Sequence, residues 1–378
     1  RSSSIRVRTM TRLLQSPSIT LHNFSVISPL RDVISGMIMA ATSVPQLIAY
    51  AETAGYAGYR GLTTAGPPLA AWGVATGHPY MNAGVTSITA IMTQNDLQAD
   101  SFVAQYGEQK YVELVSAYSA CISIASVVLA VSGFGRLAQN VPKPVLMGFK
   151  WGCALGVLIA ALPNGLFLQG SSELKVRASD SAILQNYLAP YKSLFPGWNN
   201  VSNVLYGLLQ PWAWGIVPTL MFVVGTAFVM NSKHVLPEFL PPGTDVILVT
   251  AAAALYSKFT KYTGDIVGDI PAIDPDAGIS LFGVFRIPVE LMNFKNTLSA
   301  PLVQQFGGSF VLLGISSLLF AAVNFLSIMG IASGFESENG IAWSAERELV
   351  AQGVSCAAAA AVGSAPVSGS LSRSLVSR

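Results

Sequence analysis

Apolar residues run along this chain in long windows separated by short polar stretches. A bilayer core needs about 20 mostly apolar residues per helix. Windows that meet or approach that length cover Val33–Ala54, Leu62–Thr76, Gly84–Thr93, Val112–Val131, Val145–Leu168, Trp212–Met230, Asp245–Phe259, Phe310–Ser333, Glu348–Val362 and Val367–Leu375. The pattern predicts an all-α polytopic membrane protein with about ten segments, several too short to cross a bilayer alone. In hydrocarbon every backbone polar group must be paired, so short or Gly/Pro-interrupted segments survive only inside protein or around a polar cavity. Transporters place such broken helices at the substrate.

Composition agrees. Of 378 residues 52% are hydrophobic and 11% charged, against about 25% charged in soluble domains. The mean hydropathy is +0.52. So few charges cannot cover a water-soluble surface of this size, which makes the lipid bilayer a partner. A formal net charge of +2, with no basic run interleaved with aromatics, gives no sign of nucleic-acid binding. Cys121, Cys153 and Cys356 lie far apart in apolar stretches, so neither a disulfide framework nor a metal site is expected. His22, His78 and His234 are isolated and read as polar loop or interface residues.

The start of the chain, with Arg1, Arg6, Arg8 and Arg12 among serines, has no apolar core and is not a secretory signal. It reads as a cytosolic tail over residues 1–29 rather than a transit-peptide remnant, with the membrane domain over 30–378. The basic stretches Gly133–Lys143 and Asn231–His234 read as cytosolic, although the long loop expected over Gly170–Gln210 also carries Lys175, Arg177 and Lys192. Asn200-Val201-Ser202 and Asn23-Phe24-Ser25 are glycosylation sequons; the second would be cytosolic and silent.

Two regions carry candidate chemistry. In the first window Pro45 removes a ladder hydrogen bond, and Gln46 and Tyr50 are four apart, on one helix face. An amide and an aromatic so placed either line a binding cavity or accompany a Pro kink satisfied by a neighbouring helix; spacing alone does not decide. The second region is a pair of breaks. Asn82 is a candidate N-cap for the segment that includes Ala83, Gly84, Val85, Thr86 and Ser87. Ser364 and Pro366 offer the same signals ahead of Ser370, Leu371, Ser372 and Arg373. A helix start exposes unpaired N–H groups and about half a positive charge, so two starts facing each other would attract an anion without a fixed buried charge. Arg373 is the basic residue well inside a window, about two turns or 10 Å past that expected start. It either adds positive potential beside an anion or snorkels to an interface. Ser370, Ser372 and Ser374 supply hydroxyl donors or a close-packing surface.

These residues resemble the SulP sulfate-permease family, called SLC26 in animals. GSLSRSLV (Gly369 to Val376) is similar to that family's tenth-segment motif. ERELVAQG (Glu346 to Gly353) resembles its NRELxALG stretch, and PQLIAYAETAGY (Pro45 to Tyr56) its PQAxAYAxLAG run. Lys143-Pro144 through Gly148-Phe149 resembles the start of its fifth span. The resemblance implies two inverted seven-segment repeats, divided into core and gate, with the third and tenth segments as half-helices meeting at the substrate. It puts Gln46, Tyr50, Ala83 to Ser87 and Ser370 to Arg373 at the anion site, and it admits a homodimer. It also implies that the chain stops within the tenth segment, so the second repeat would be incomplete and no STAS domain would follow.

The sequence departs from the family pattern at three places. Val85 stands where a proline is usual, and Ser344 and Glu346 replace an Asp and an Asn. Ser327 falls where proton- or sodium-coupled members carry a carboxylate. Coupling through Ser327 is therefore not expected, and exchange, facilitated uptake or coupling elsewhere gains ground.

The leading reading is secondary transport of a small inorganic anion, most plausibly sulfate, by alternating access in a multi-pass protein, at the plasma membrane rather than an organelle. Alternatives are an exchanger or channel for chloride, bicarbonate or oxalate, and, less favoured, a nucleobase permease. No catalytic constellation, P-loop or cofactor motif is present, so an enzyme and a bound cofactor are not expected.

Overall fold

The structure is a computed structural model that describes residues 29–179, 181, 198–237, 243–264 and 301–376. The expected tail up to residue 28, with His22 and the sequon at Asn23, lies outside the described residues, as does the Cys153 side chain.

Nearly all described secondary structure is helical. In chain order it comprises α1 (Pro29–Ala54), a 3-10 segment (Gly58–Ala65), α2 (Pro67–Ala75), strand β1 (Ala83–Gly84) and α3 (Ser87–Leu97). There follow α4 (Ala99–Tyr106), α5 (Glu108–Ser132), α6 (Phe134–Gln139), α7 (Lys143–Leu166), α8 (Gly170–Ser179), α9 (Trp198–Leu208), α10 (Ile216–Met230) and α11 (Thr244–Thr260). After the undescribed residues come α12 (Phe310–Asn339), α13 (Ala345–Ala361), strand β2 (Ser368–Gly369) and α14 (Leu371–Val376).

Among the described residues three helices are long and apolar enough to cross a bilayer: Val33–Ala54, Glu108–Ser132 and Phe310–Asn339. The expected segment Leu62–Thr76 is instead a 3-10 stretch and α2, divided at Gly66 ahead of Pro67 and Pro68, because a proline at a helix start disfavours helical geometry in the residue before it. The expected loop Gly170–Gln210 contains helices α8 and α9. Its sequon falls in the first turns of α9 with Ser202 buried, unlike the exposed loop that suits an acceptor.

The chain divides into two compact units, residues 1–147 with 270–378, and residues 148–269. In the second unit Leu166, Phe167, Leu174 and Val204 form a small apolar core. Trp214 Nε1 donates to the Gly207 carbonyl at 2.9 Å, and the Gly215 amide donates to the Leu166 carbonyl at 2.8 Å.

The first unit is built around α5 and α13, and α5 shows how a helix of this composition finds its orientation. Its hydroxyls point inward: Ser116, Ser119, Ser123 and Ser126 are all buried, while Ile124, Val127, Val128 and Val131 are exposed. That is the reverse of a soluble helix and suits one whose outer face meets lipid. Lipid tails offer no hydrophobic drive for helices to associate, so close packing of small residues and interhelical hydrogen bonds take over. Ser116 Oγ donates to the Ala360 carbonyl at 2.5 Å and Ser123 Oγ to the Gly353 carbonyl at 2.7 Å. A Cβ at Gly353 would lie 2.8 Å from Val127 Cγ2, so glycine sets the approach of α13 to α5. On its other side α13 holds α2, where Ser355 Oγ donates to the Pro68 carbonyl at 2.6 Å.

Candidate functional site

The two breaks meet. β1 and β2 form a two-stranded antiparallel sheet with Ala83 opposite Gly369 and Gly84 opposite Ser368. The Ser370 amide adds a bond to the Asn82 carbonyl at 2.9 Å. Because the strands are antiparallel, the chain leaves the pair in opposite directions, into α3 on one side and α14 on the other. Each helix therefore has its amino end at the strand pair and its carboxyl end away from it, the opposed arrangement expected from sequence. Pairing the strands to each other also satisfies backbone groups that would otherwise be unpaired at this depth.

The helix starts are not where the capping signals put them. α3 begins at Ser87, capped by Thr86 and not by Asn82. Thr86 Oγ1 accepts from the Thr89 amide at 3.4 Å, and Thr89 Oγ1 accepts from the Thr86 amide at 2.9 Å, a reciprocal box closed by threonine in place of the usual Glu or Gln. Asn82 instead lends its backbone to the strand pair, and its Nδ2 donates to Met39 Sδ on α1 at 2.9 Å. The second start is displaced likewise. Ser364 Oγ donates to the Ala365 carbonyl, Pro366 lies outside any helix, and α14 begins at Leu371. The first intrahelical rung is the Ser374 amide to the Ser370 carbonyl at 2.9 Å, so the amides of Leu371, Ser372 and Arg373 precede the ladder. Arg373 is thus in the first turn of its helix, not two turns along.

Arg373 is 5% exposed, and its Nη2 donates to the Val85 carbonyl at 2.9 Å. The guanidinium fills the space over Gly84, where a Cβ would come within 2.7 Å of both Nη1 and Nη2. The arginine on one half-helix therefore packs on the strand that feeds the other, which is not a snorkelling position. Val85, at the position where proline was expected, is buried and contributes its carbonyl to this contact.

The remaining expected residues fall around this junction. α1 packs against both α3 and α14. Gln46 and Tyr50 are half-buried on α1, and Gln46 Oε1 is buried without a hydrogen-bond partner in the structure. Thr86 and Ser87 are half-buried, Ala83, Gly84 and Ser370 are buried, and Leu371 and Ser372 are exposed. Ser370 and Ser372 hydroxyls lie 3.4 Å apart. Ser327 is half-buried on α12, one turn beyond Asn324. Asn324 holds β2 from that side: its Nδ2 donates to the Val367 carbonyl at 3.4 Å, and Ser368 Oγ donates to its carbonyl at 3.2 Å.

Two supports escaped the sequence reading. Ser374, read there as a hydroxyl donor or part of a close-packing surface, clasps the two half-helices. Its Oγ accepts from the Asn82 amide at 2.9 Å and donates to the Ser370 carbonyl at 2.6 Å. Glu348, fully buried in α13, anchors the turn leading to β1. Its Oε2 accepts from Thr76 Oγ1 and its Oε1 from the Gly77 amide, each at 2.8 Å. Next to it Arg347 donates to the carbonyls of Ala75 and Thr76. The signal for Glu348 was available, since a carboxylate inside an apolar window demands a partner. His78, expected as a loop or interface residue, is 1% exposed and packs 5.4 Å from the Phe335 ring. Of the altered motif positions, Ser344 caps α13 and Glu346 pairs with Arg136 at 2.7 Å.

Comparison with known proteins gives a consistent picture. The sequence model of the sulfate permease family matches residues 30–378. A Mycobacterium tuberculosis protein described as a probable sulfate transporter is 29% identical over 131 residues, 35% of this chain and 23% of that protein. The solved murine Slc26a9 anion transporter in its inward-facing state superposes with a TM-score of 0.66 at 17% identity, covering 94% of this chain and 55% of that one. The transmembrane domain of the cyanobacterial bicarbonate transporter BicA superposes with a TM-score of 0.59 at 15% identity, covering 92% and 76%. The chain thus spans about half the length of the murine transporter.

Proposed function

Since the chain belongs to the sulfate permease family, we propose that it moves a small inorganic anion, sulfate first among the candidates, across a membrane as a secondary transporter. The observation that carries this reading is the antiparallel meeting of β1 and β2, with Arg373 packed over Gly84. Two helix amino ends converge there, and their dipoles favour negative charge. Arg373 adds a full positive charge on a planar guanidinium whose fork of N–H donors matches an oxyanion. Gln46, Tyr50, Thr86, Ser87, Ser370 and Ser372 surround the junction with groups able to orient an oxyanion. Leu371, being exposed, serves the site through its backbone amide.

In this reading the unit that includes residues 30–147 and 301–376 carries the anion through an alternating-access cycle. β1 with α3 and β2 with α14 are taken as counterparts in two inverted repeats. Sulfate is put first because of the mycobacterial relative, and bicarbonate is its nearest rival because of the cyanobacterial one.

Radiolabelled sulfate uptake into proteoliposomes tests the proposal, with bicarbonate, chloride and molybdate as competitors. Losing a charge-assisted hydrogen bond worth roughly 1.5–3 kcal/mol, Arg373→Ala weakens apparent sulfate affinity by about 10- to 100-fold, with Arg373→Lys intermediate because an ammonium keeps charge but not fork geometry. Unchanged affinity and rate in Arg373→Ala would remove the arginine from the site. Preferential competition by bicarbonate would replace sulfate as the substrate.

A further inference from the structure

A second polar cluster lies at the other end of α3. Asp96, in its last turn, accepts a hydrogen bond from the Tyr118 hydroxyl of α5 at 2.6 Å. Ser316 of α12 lies 2.9 Å from the same Tyr118 oxygen and donates to Asp96 Oδ2 at 3.4 Å. Three helices thus contribute one carboxyl, one phenol and one hydroxyl. Tyr118 is fully buried, with Phe306 stacked on it at 5.6 Å and Phe320 edge-on at 5.7 Å. Asp96 itself is half-buried near the end of α3, and its partners lie further inside their own helices. Tyr118 is ten residues into α5 and Ser316 six into α12, about 15 Å and 9 Å at helical rise.

A carboxylate is poorly served here. Among the described residues no lysine, arginine or histidine forms an ion pair with Asp96. Asp96 lies in the last turn of α3, at the negative end of the helix dipole, which disfavours an anion. An ionisable residue packed among the helices of a membrane domain is costly and is by default a candidate for a proton or ion pathway. The titratable or charged groups near it are Tyr118 and, one turn along α5, the half-buried Cys121, while α4 brings Asp100 and α12 only Ser316.

We propose that Asp96 is the group that carries a proton in step with the anion, in the coupling role that Ser327 is chemically unable to fill. This rests on the anion-transport reading above. The carboxylate takes a proton from water on the side where the anion loads, forming one O–H bond, and returns it to water on the other side. A proton suits the cluster better than a metal cation, because the 2.6 and 2.9 Å contacts are hydrogen bonds that a cation would have to break. Sulfate brings two negative charges and Arg373 offsets one. Neutral Asp96 removes a further negative charge from the body that must move.

α3 provides the connection. Its first turn is at the anion junction and Asp96 is about 14 Å further along the same rigid helix. α12 contacts both ends as well, at Ser316 and, two turns on, at Asn324, which holds β2.

The test uses the full chain in proteoliposomes. Under an acid-outside gradient the wild type accumulates sulfate above equilibrium. Asp96→Asn loses about tenfold or more of that accumulation but retains sulfate–sulfate exchange at equal pH, and Asp96→Glu restores part of it. Replacing outside acid by a sodium gradient does not drive uptake. Gradient-driven accumulation that persists in Asp96→Asn, or driving by sodium alone, overturns the proton assignment. A pH-difference infrared measurement separates this inference from the one it rests on. A carboxyl C=O band that titrates in the wild type and is missing in Asp96→Asn supports the proton site even if no anion tested is transported, an outcome that overturns the transport reading alone. Absence of that band overturns the site whatever the flux.

Discussion

The guanidinium of Arg373 donates from Nη2 to the Val85 carbonyl at 2.9 Å. The contact places a charged group of one half-helix on the backbone leading into the other, so anything that moves the guanidinium acts on the junction and not on the fold as a whole.

Gly84→Ala separates these effects. A methyl group there would lie 2.7 Å from both terminal nitrogens of Arg373, the far end of a long side chain that can swing aside. Little stability should therefore be lost, roughly 1 kcal/mol or less, while apparent sulfate affinity falls by about tenfold as the guanidinium is displaced. Thermal unfolding in detergent and concentration-dependent uptake on the same preparation check the two halves.

Ser374→Ala should behave oppositely. It removes the acceptor of the buried Asn82 amide and the donor to the Ser370 carbonyl. Leaving a buried backbone donor unsatisfied costs about 1–3 kcal/mol, so the unfolding temperature falls measurably even with no anion present. A variant as stable as the wild type would show that Ser374 does not hold the half-helices together.

Much of this arrangement was legible in the sequence, and what was not has identifiable causes. The long windows became α1, α5 and α12 because length and hydropathy are local properties. Arg373 was legible because a charge in an apolar stretch needs a reason. The helix starts were misjudged because Asn82 and Ser364 are as competent to cap as Thr86, and the choice was made by strand pairing between residues far apart in the chain. Asp96 gave no signal at all. It lies three residues beyond the end of the short window Gly84–Thr93, and its partners come from two other helices.

Glu348→Ala should destabilise the first unit more than an average substitution. It strips acceptors from Thr76 Oγ1 and the Gly77 amide at once, for an expected loss of about 2–5 kcal/mol. Glu348→Gln keeps one acceptor oxygen and should lose less. Denaturation midpoints of the two variants, compared with Thr76→Val, check the order.

Gly353→Val tests the packing of α13 on α5. Its side chain would meet Val127 Cγ2 and the Ser123 carbonyl, 2.8 and 3.2 Å from the first added carbon. Overpacking of this kind costs about 1–3 kcal/mol. Gly334, inside α12 with nothing within 4 Å of an added Cβ, is the contrast, and Gly334→Ala should hold or raise the unfolding temperature.

The bond from Arg373 to Val85 joins positions 288 apart, which has a consequence for biogenesis. At roughly 5–20 residues per second of synthesis, β1 enters the membrane some 15–60 s before its mate exists. Throughout that interval its peptide groups must be sheltered by the insertion machinery, by water or by a provisional neighbour. Cells making this protein should therefore hold a half-assembled intermediate, vulnerable to quality-control proteases until β2 has been made.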